Sequence, residues 1–277
     1  MRQTTTKNGS LLFTFESTAD VEAVAAKHPY TPGGGGDWEF VGRELLTFRD
    51  ASEASRSLWD YGKKVLDGMV QDLLDAKLPE PKDTRRRTRF HEDNGDELDL
   101  DRLRSGQPYW RLAEREDCQG QQTVTVLVDC CAVADVPSDA ILWPGAAAVA
   151  LACLLEEKGY RVELWALTSG HGRFEKVKEK VVTACRLKRP EDPLDRSSLT
   201  NAVCGWYFRT VVFTLLRSLA REVGTVATSG LGNSEATDPG DLRAITSDEC
   251  RIHVSSTYSR SGAVALVRHE LEKFASH

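Results

Sequence analysis

Asp129 closes the apolar run VTVLVD, and the carboxyl end of a buried strand is where α/β proteins gather ligands. A carboxylate there can begin a metal site, act as a base, or cap the backbone that follows it. Other strand-like runs deliver hydroxyls toward the same edge. RVELWAL leads into Thr168 and Ser169, CRIHV into Ser255 and Ser256, and TVAT into Ser229. One carboxylate among several hydroxyl oxygens is a donor set for a hard cation such as Mg²⁺. Cys130 and Cys131 follow Asp129 directly. Neighbouring side chains on a strand point to opposite faces, so the two thiols read as small buried hydrophobes rather than a redox pair. A nucleophilic Cys131 needs a histidine beside it; His171, in the turn-like TSGHGRF, and His253, in IHVSS, are the candidates.

Two other stretches carry recognisable chemistry. TRRRTR sets Arg85, Arg86, Arg87 and Arg89 together, and guanidinium forks match phosphate oxygens. The competing reading is a solvated segment neutralised by the acidic block from Glu92 to Asp101. The aromatic triplet Trp206, Tyr207 and Phe208 covers most of a helix circumference, which leaves one ring for a partner unless all three pack into the core, the favoured reading. GHGRF and GLGN lack the glycine spacing and the lysine of nucleotide-binding loops.

The elements that must position these residues follow from hydrophobic periodicity. LLFTF reads as a strand, followed by a helix capped at Ser17 or Thr18. TPGGGGD interrupts the chain, and a long helix is expected from about Ala51 to Leu78, ended by Pro79 and Pro81. Residues 83–116 read as a charged linker with a short helix near Leu98 to Arg104. From Gln122 the pattern becomes strand, helix, strand: VTVLVD, AILWPGAAAVALACLLEEKGY and RVELWAL, the spacing of a right-handed parallel crossover. VVTACRLK alternates as an edge strand does. Helices follow with a break at Gly205, then the strand CRIHVSS, then a closing helix with Ser261 in the capping position.

Composition bounds the classes. The chain has 277 residues, 28% of them charged, a net charge of −6 and a pI near 5.6. That acidic balance argues against a generally basic nucleic-acid surface and leaves only a local patch. The richest apolar run, Ile141 to Leu155, is too short to cross a bilayer and contains Pro144 and Gly145, and MRQTTTKNGS lacks the apolar middle of a secretory signal. Seven scattered cysteines without a CxxC pair point to a reducing compartment and away from zinc.

In its order of elements the chain resembles a von Willebrand factor A-type domain over roughly residues 96 to 277. ELDLDRLRSGQPYWR looks like the segment preceding such a domain in cobaltochelatase-like bacterial proteins. DWEFVGRELLTFRDASEASRSLWDYGKKV is similar to an uncharacterised family of phage and bacterial proteins built on this plan. That family's metal motif is Asp-x-Ser-x-Ser; here Asp129 is followed by Cys131 and Val133 at the serine positions, and the later Thr-Asp-Gly reads Thr228, Ser229, Gly230. The resemblance therefore implies a domain that keeps the fold, has lost the ion, and presents its carboxyl edge to a protein partner.

The expectation is an α/β protein with a mainly parallel, doubly wound sheet of von Willebrand A or Rossmann type flanked by helices. Its parts are a mostly helical N-terminal region (1–82), a charged linker (83–116) and the α/β domain (117–277). The expected function is non-enzymatic protein binding or assembly through Asp129, Thr168, Ser169 and Ser229, with no cofactor, no metal and no membrane. The alternatives are a nucleic-acid-associated phage or mobile-element protein using Arg85, Arg86, Arg87 and Arg89, and a metal-dependent site at Asp129. The expected location is the cytoplasm, or a virion if the origin is a phage.

Overall fold

The computed structural model describes residues 1–29, 41–44, 47–78, 87–91, 97–114, 122–133, 135–174, 177–223, 237–246 and 251–275. Its centre is a six-stranded sheet in the order β1-β2-β8-β7-β6-β9. These strands are β1 (Arg2–Thr5), β2 (Leu11–Phe15), β6 (Thr123–Asp129), β7 (Arg161–Phe174), β8 (Val177–Lys188) and β9 (Arg251–Val254). β6 runs parallel to both β7 and β9, and β2 runs parallel to β8. β1 with β2, and β7 with β8, are antiparallel.

The sheet is thus mixed, and the expectation of a mainly parallel, doubly wound sheet is corrected. The longest register is the antiparallel one, from Leu164 opposite Lys188 to Phe174 opposite Val177. Its physical reason is the length of the connection. Only two residues separate β7 from β8, and a parallel crossover needs a dozen or more. β8 is also no edge strand, because β2 pairs with its other side. β1 and β2 bring the N-terminus into this same sheet, joined by a turn in which Gly9 takes φ +81° and donates its N–H to Thr6 O.

The strand–helix–strand reading of residues 123–167 matches the chain. β6 is followed by a helix at Ser138–Glu157 and then by β7 in parallel register. This helix is apolar around its whole circumference, and a helix of that kind is stable in water only when surrounded. The sheet covers one side of it, and the helices at Asp60–Leu73 and Arg260–Ala275 cover others. It is longer than the apolar run suggested and carries Pro144 inside it. By length and composition it is able to cross a membrane, yet 89% of its most apolar window is buried within the fold. A Cβ on Gly145 would lie 2.6 Å from Val203, so the close approach of the next helical segment requires glycine there.

The expected long helix over 51–78 is two: α2 (Phe48–Ala54) and α3 (Asp60–Leu73), after α1 (Thr18–Ala25). Thr47 and Asp50 form a reciprocal cap that starts α2. Its end is held by a residue far along the chain: Asn201 Nδ2 donates to Ala54 O, Ser55 O and Ser57 O at 3.4, 3.0 and 2.8 Å. Ala54 O also accepts from Ser57 N, and Asn201 gives the carbonyls of Ser55 and Ser57 a donor at the break. Leu58, inside the expected helix, lies in the break and is exposed.

Within residues 87–114 the chain forms a three-stranded antiparallel sheet, β3 (Arg87–His91), β5 (Trp110–Glu114) and β4 (Glu97–Leu98), with a short helix α4 (Leu100–Arg104) capped by Asp99. The remaining helices are α5 (Ser138–Glu157), α6 (Arg196–Ala202), α7 (Gly205–Tyr207), α8 (Phe213–Val223), α9 (Pro239–Arg243) and α10 (Arg260–Ala275). A π-turn over Phe208–Val212 joins α7 to α8. The cap of α10 is Ser259, whose Oγ accepts from Gly262 N; Ser261 lies inside the helix. Among the described residues, α1, α3, α5, α8 and α10 all pack into the large core on one face of the sheet, while α9 alone lies on the other, over Leu12, Leu127, Trp165 and Val182.

Candidate functional site

β6 alternates as a strand must: Val124, Val126 and Val128 enter the large core, so Thr125, Leu127 and Asp129 face the second side. On β9, His253 stands across from Leu127 and so shares that face with Asp129. His253 Nε2 lies 3.3 Å from Asp129 Oδ2. That distance is within ion-pair reach, yet Nε2 has no aligned hydrogen bond among the described residues, so the contact is one of proximity rather than a directed bond. The aligned donors come from Thr237, whose Oγ1 donates to Asp129 Oδ1 at 2.6 Å and whose N–H donates to Oδ2 at 3.4 Å. Asp129 is wholly buried. A carboxylate out of water requires such donors, and Thr237 supplies them.

Thr237 begins a latch. Asp238 caps α9 through the N–H groups of Gly240 and Asp241 and accepts from Asn8 Nδ2 at 2.7 Å. Asp241, fully buried, accepts from Thr6 Oγ1 at 2.9 Å. Lys180 of β8 reaches both carboxylates, with Nζ 3.0 Å from Asp241 and 3.3 Å from Asp238. Burial by itself pulls the Lys180 ammonium down, but Asp241 and then Asp238 outweigh it and hold its pKa above the ordinary value. Asp238 moves the other way: burial pushes it up, and the Asp241 and Gly240 N–H groups with Lys180 bring it below the ordinary carboxylate range.

The backbone after Asp129 is held from two sides. Cys130 N donates to Leu167 O at 2.8 Å. Arg209, buried in the π-turn, donates to Val133 O and Val136 O. Cys131 Sγ is 3.8 Å from Ser256 Oγ, and that hydroxyl donates to Cys131 O at 3.2 Å. Tyr258, half exposed, has its phenol pushed up by burial and by the nearby Cys131 and Asp129. Burial drives the Cys130 thiol well above its ordinary value, which keeps it protonated and inert.

The residues singled out from sequence are not all brought together. Ser169 is buried on the Asp129 side of β7, and Thr168 is buried on the opposite side. Neither is at a strand end, because β7 runs on to Phe174; both lie just past the end of β6, where Asp129 pairs with Leu167. Ser229, Arg85 and Arg86 lie outside the described residues. Arg87 and Arg89 are in β3, opposite Glu114 and Leu112 of β5. His171 is part of β7, opposite Lys180, and not in a turn. Trp206, Tyr207 and Phe208 are all buried, with Trp206 packed edge-on against Trp59 and Tyr207.

A hard cation does not fit these donors. Both Asp129 oxygens already face Thr237 and His253, Cys131 offers sulfur and Val133 nothing, and no group of three or more His, Cys, Asp or Glu among the described residues is placed to hold a metal. Sequence reasoning missed Thr237, Asp241 and Lys180. TDPGD did carry a signal, since Asp before Pro at a first helical position marks a helix start. Nothing in the sequence says that this start docks on Asp129.

Fold and site together define an α/β protein with a mixed sheet whose strand-end carboxylate is sealed under a short capping helix. The chain belongs to the family described as Domain of unknown function (DUF7192), whose model matches residues 3–275. No curated protein and no solved structure matches it significantly.

Proposed function

We propose that the protein is a non-enzymatic binding or assembly module whose partner is another protein. The observation that carries this reading is the exposed set Leu98, Leu100 and Leu103, three large apolar side chains within one six-residue stretch of β4 and α4. Isolated exposed leucines are ordinary, but a cluster of them marks interaction surface. The sealed Asp129 supports the same reading, because a carboxylate wholly withdrawn from solvent is not offered to a substrate. We place the protein in the cytoplasm. Cys130, Cys131, Cys153, Cys185 and Cys204 are free thiols, as a reducing compartment keeps them.

The test compares the intact protein with a Leu98→Ser, Leu100→Ser, Leu103→Ser variant. These side chains lie outside the core, so Tm is expected to stay within about 2 °C. A protein that co-purifies stoichiometrically with the parent, and self-association in sedimentation, are expected to be lost or reduced at least tenfold. Undiminished co-purification and association in the variant would refute the reading. A nucleic-acid reading keeps one observation of its own, that Arg87 and Arg89 both lie in β3. Its signature is binding to a DNA or RNA duplex that weakens steeply with salt and disappears when both arginines become alanine.

A further inference from the structure

On the face of the sheet opposite Asp129's carboxylate, the fold encloses a cavity with room of about 20 Å³. Its floor is the β7–β8 hairpin, where Thr168 stands directly across from Thr183. Its roof is the helical segment carrying Tyr207, Phe208 and Val212, and Cys130 closes one side. Most of this lining is apolar, yet three of its residues, Tyr207, Thr168 and Thr183, carry hydroxyls. Tyr207 is buried, and its Oη has no hydrogen-bond partner among the described residues. Thr168 and Thr183 are both buried as well, and both line the cavity.

We propose that this cavity is a specific site for one internal water, which bridges Tyr207 on the helical layer to Thr168 and Thr183 on the sheet. Size and chemistry agree. A single water needs roughly 10–15 Å³ by this measure and two to four polar partners, whereas the apolar cavities that take benzene or xenon are near 150 Å³. A water accepts two hydrogen bonds and donates two, so it satisfies all three hydroxyls at once, and folded proteins rarely leave such groups unpaired. Burial holds the Tyr207 phenol far above its ordinary pKa, so the group stays a neutral donor.

The place of the site in the fold gives it a role. Tyr207 immediately precedes the π-turn, and Arg209 within that turn holds Val133 O and Val136 O. π-turns are irregular and need support from outside the helix. The water ties this one to the β7–β8 hairpin and so fixes the element that positions the loop after Asp129.

A high-resolution crystal structure of the full chain is the direct test. It is expected to show a solvent peak about 2.8 Å from Tyr207 Oη and within hydrogen-bond reach of both threonine hydroxyls. Tyr207→Phe removes one partner of that water and is expected to lower Tm by about 2–4 °C. If Tyr207→Phe does not fold, Thr183→Val probes the same bridge from the sheet side with the same expected shift. Absence of the peak overturns the proposal, as does a rise in Tm for Tyr207→Phe, the response of a dry cavity relieved of an unpaired hydroxyl. Xenon bound in the cavity under pressure also overturns it, since the site would then be apolar.

Discussion

The two faces of the central sheet are built on different physics. The first is covered by α1, α3, α5, α8 and α10, and the residues it meets from the strands include Phe13, Phe15, Val124, Val126, Val128 and Ile252. Its stability comes from apolar area removed from water, at about 25 cal/mol per Å². The second face carries a small apolar strip of Leu12, Leu127, Trp165 and Val182 among charged and polar groups. There Arg186 lies over the Trp165 ring and pairs with Glu163, and Asp129, Asp241 and Lys180 are fixed by named partners. A non-directional force holds the many helices of one face, and directional bonds hold the short helix α9 on the other. A five-residue helix cannot bury enough apolar surface to stay in place otherwise.

This difference is breakable by mutation, and the largest effect is expected on the second face. Lys180→Met leaves Asp241 buried without its cation, and losing one partner of a buried pair costs about 3–5 kcal/mol. Chemical denaturation of the variant and parent checks this; a loss under about 1 kcal/mol would mean that α9 is held some other way.

The pH dependence of that loss sharpens the contrast. Lys180 is raised above 10.5 in the fold, so its contribution is complete below the unfolded value and disappears as pH rises through the folded one. Asp238 is lowered from 3.8, so its contribution is complete above the unfolded value and disappears as pH falls through the folded one. The difference between parent and Lys180→Met is therefore expected to be flat from about pH 5 to pH 9 and to shrink beyond either end.

Next in size is Leu151→Ala on the first face. Leu151 is fully buried in α5, and truncation leaves a cavity at a cost of about 2–5 kcal/mol. Unlike the Lys180 effect, it should not change at the pH extremes. A Leu151 effect that followed pH in the same way would erase the distinction between the faces.

The smallest effect expected is that of Thr237→Val, which removes the 2.6 Å donation to Asp129 while preserving shape. A hydrogen bond to a charged group contributes about 1.5–3 kcal/mol, so Tm should fall by several degrees. An unchanged Tm would show that the backbone N–H of residue 237 and the nearby His253 suffice for Asp129.

Much of the first face was legible in the sequence. VTVLVD, the alanine-rich helix and RVELWAL announce a parallel unit through period and length, and α5, β6 and β7 follow them. Ser17 caps α1 as its residue type suggests. Asp129 was legible as the end of a strand, but its fate was not. The same letters suit an open metal ligand and a sealed carboxylate, and the choice was made by Thr237, 108 residues away.

The sequence by itself determined some of the segments, β2, α1, β6, α5 and β7 among them, because side-chain period, caps and glycine act within a few residues of chain. It also determined that α5 would be surrounded, since no surface helix is apolar on every side. Tertiary structure alone decided the rest. It turned β7 and β8 into an antiparallel pair inside the sheet, broke one expected helix at the carbonyls held by Asn201, and placed Thr237 and His253 around Asp129. These are contacts between residues far apart in sequence, and no local periodicity encodes which distant partner a strand edge, a freed carbonyl or a buried carboxylate will find.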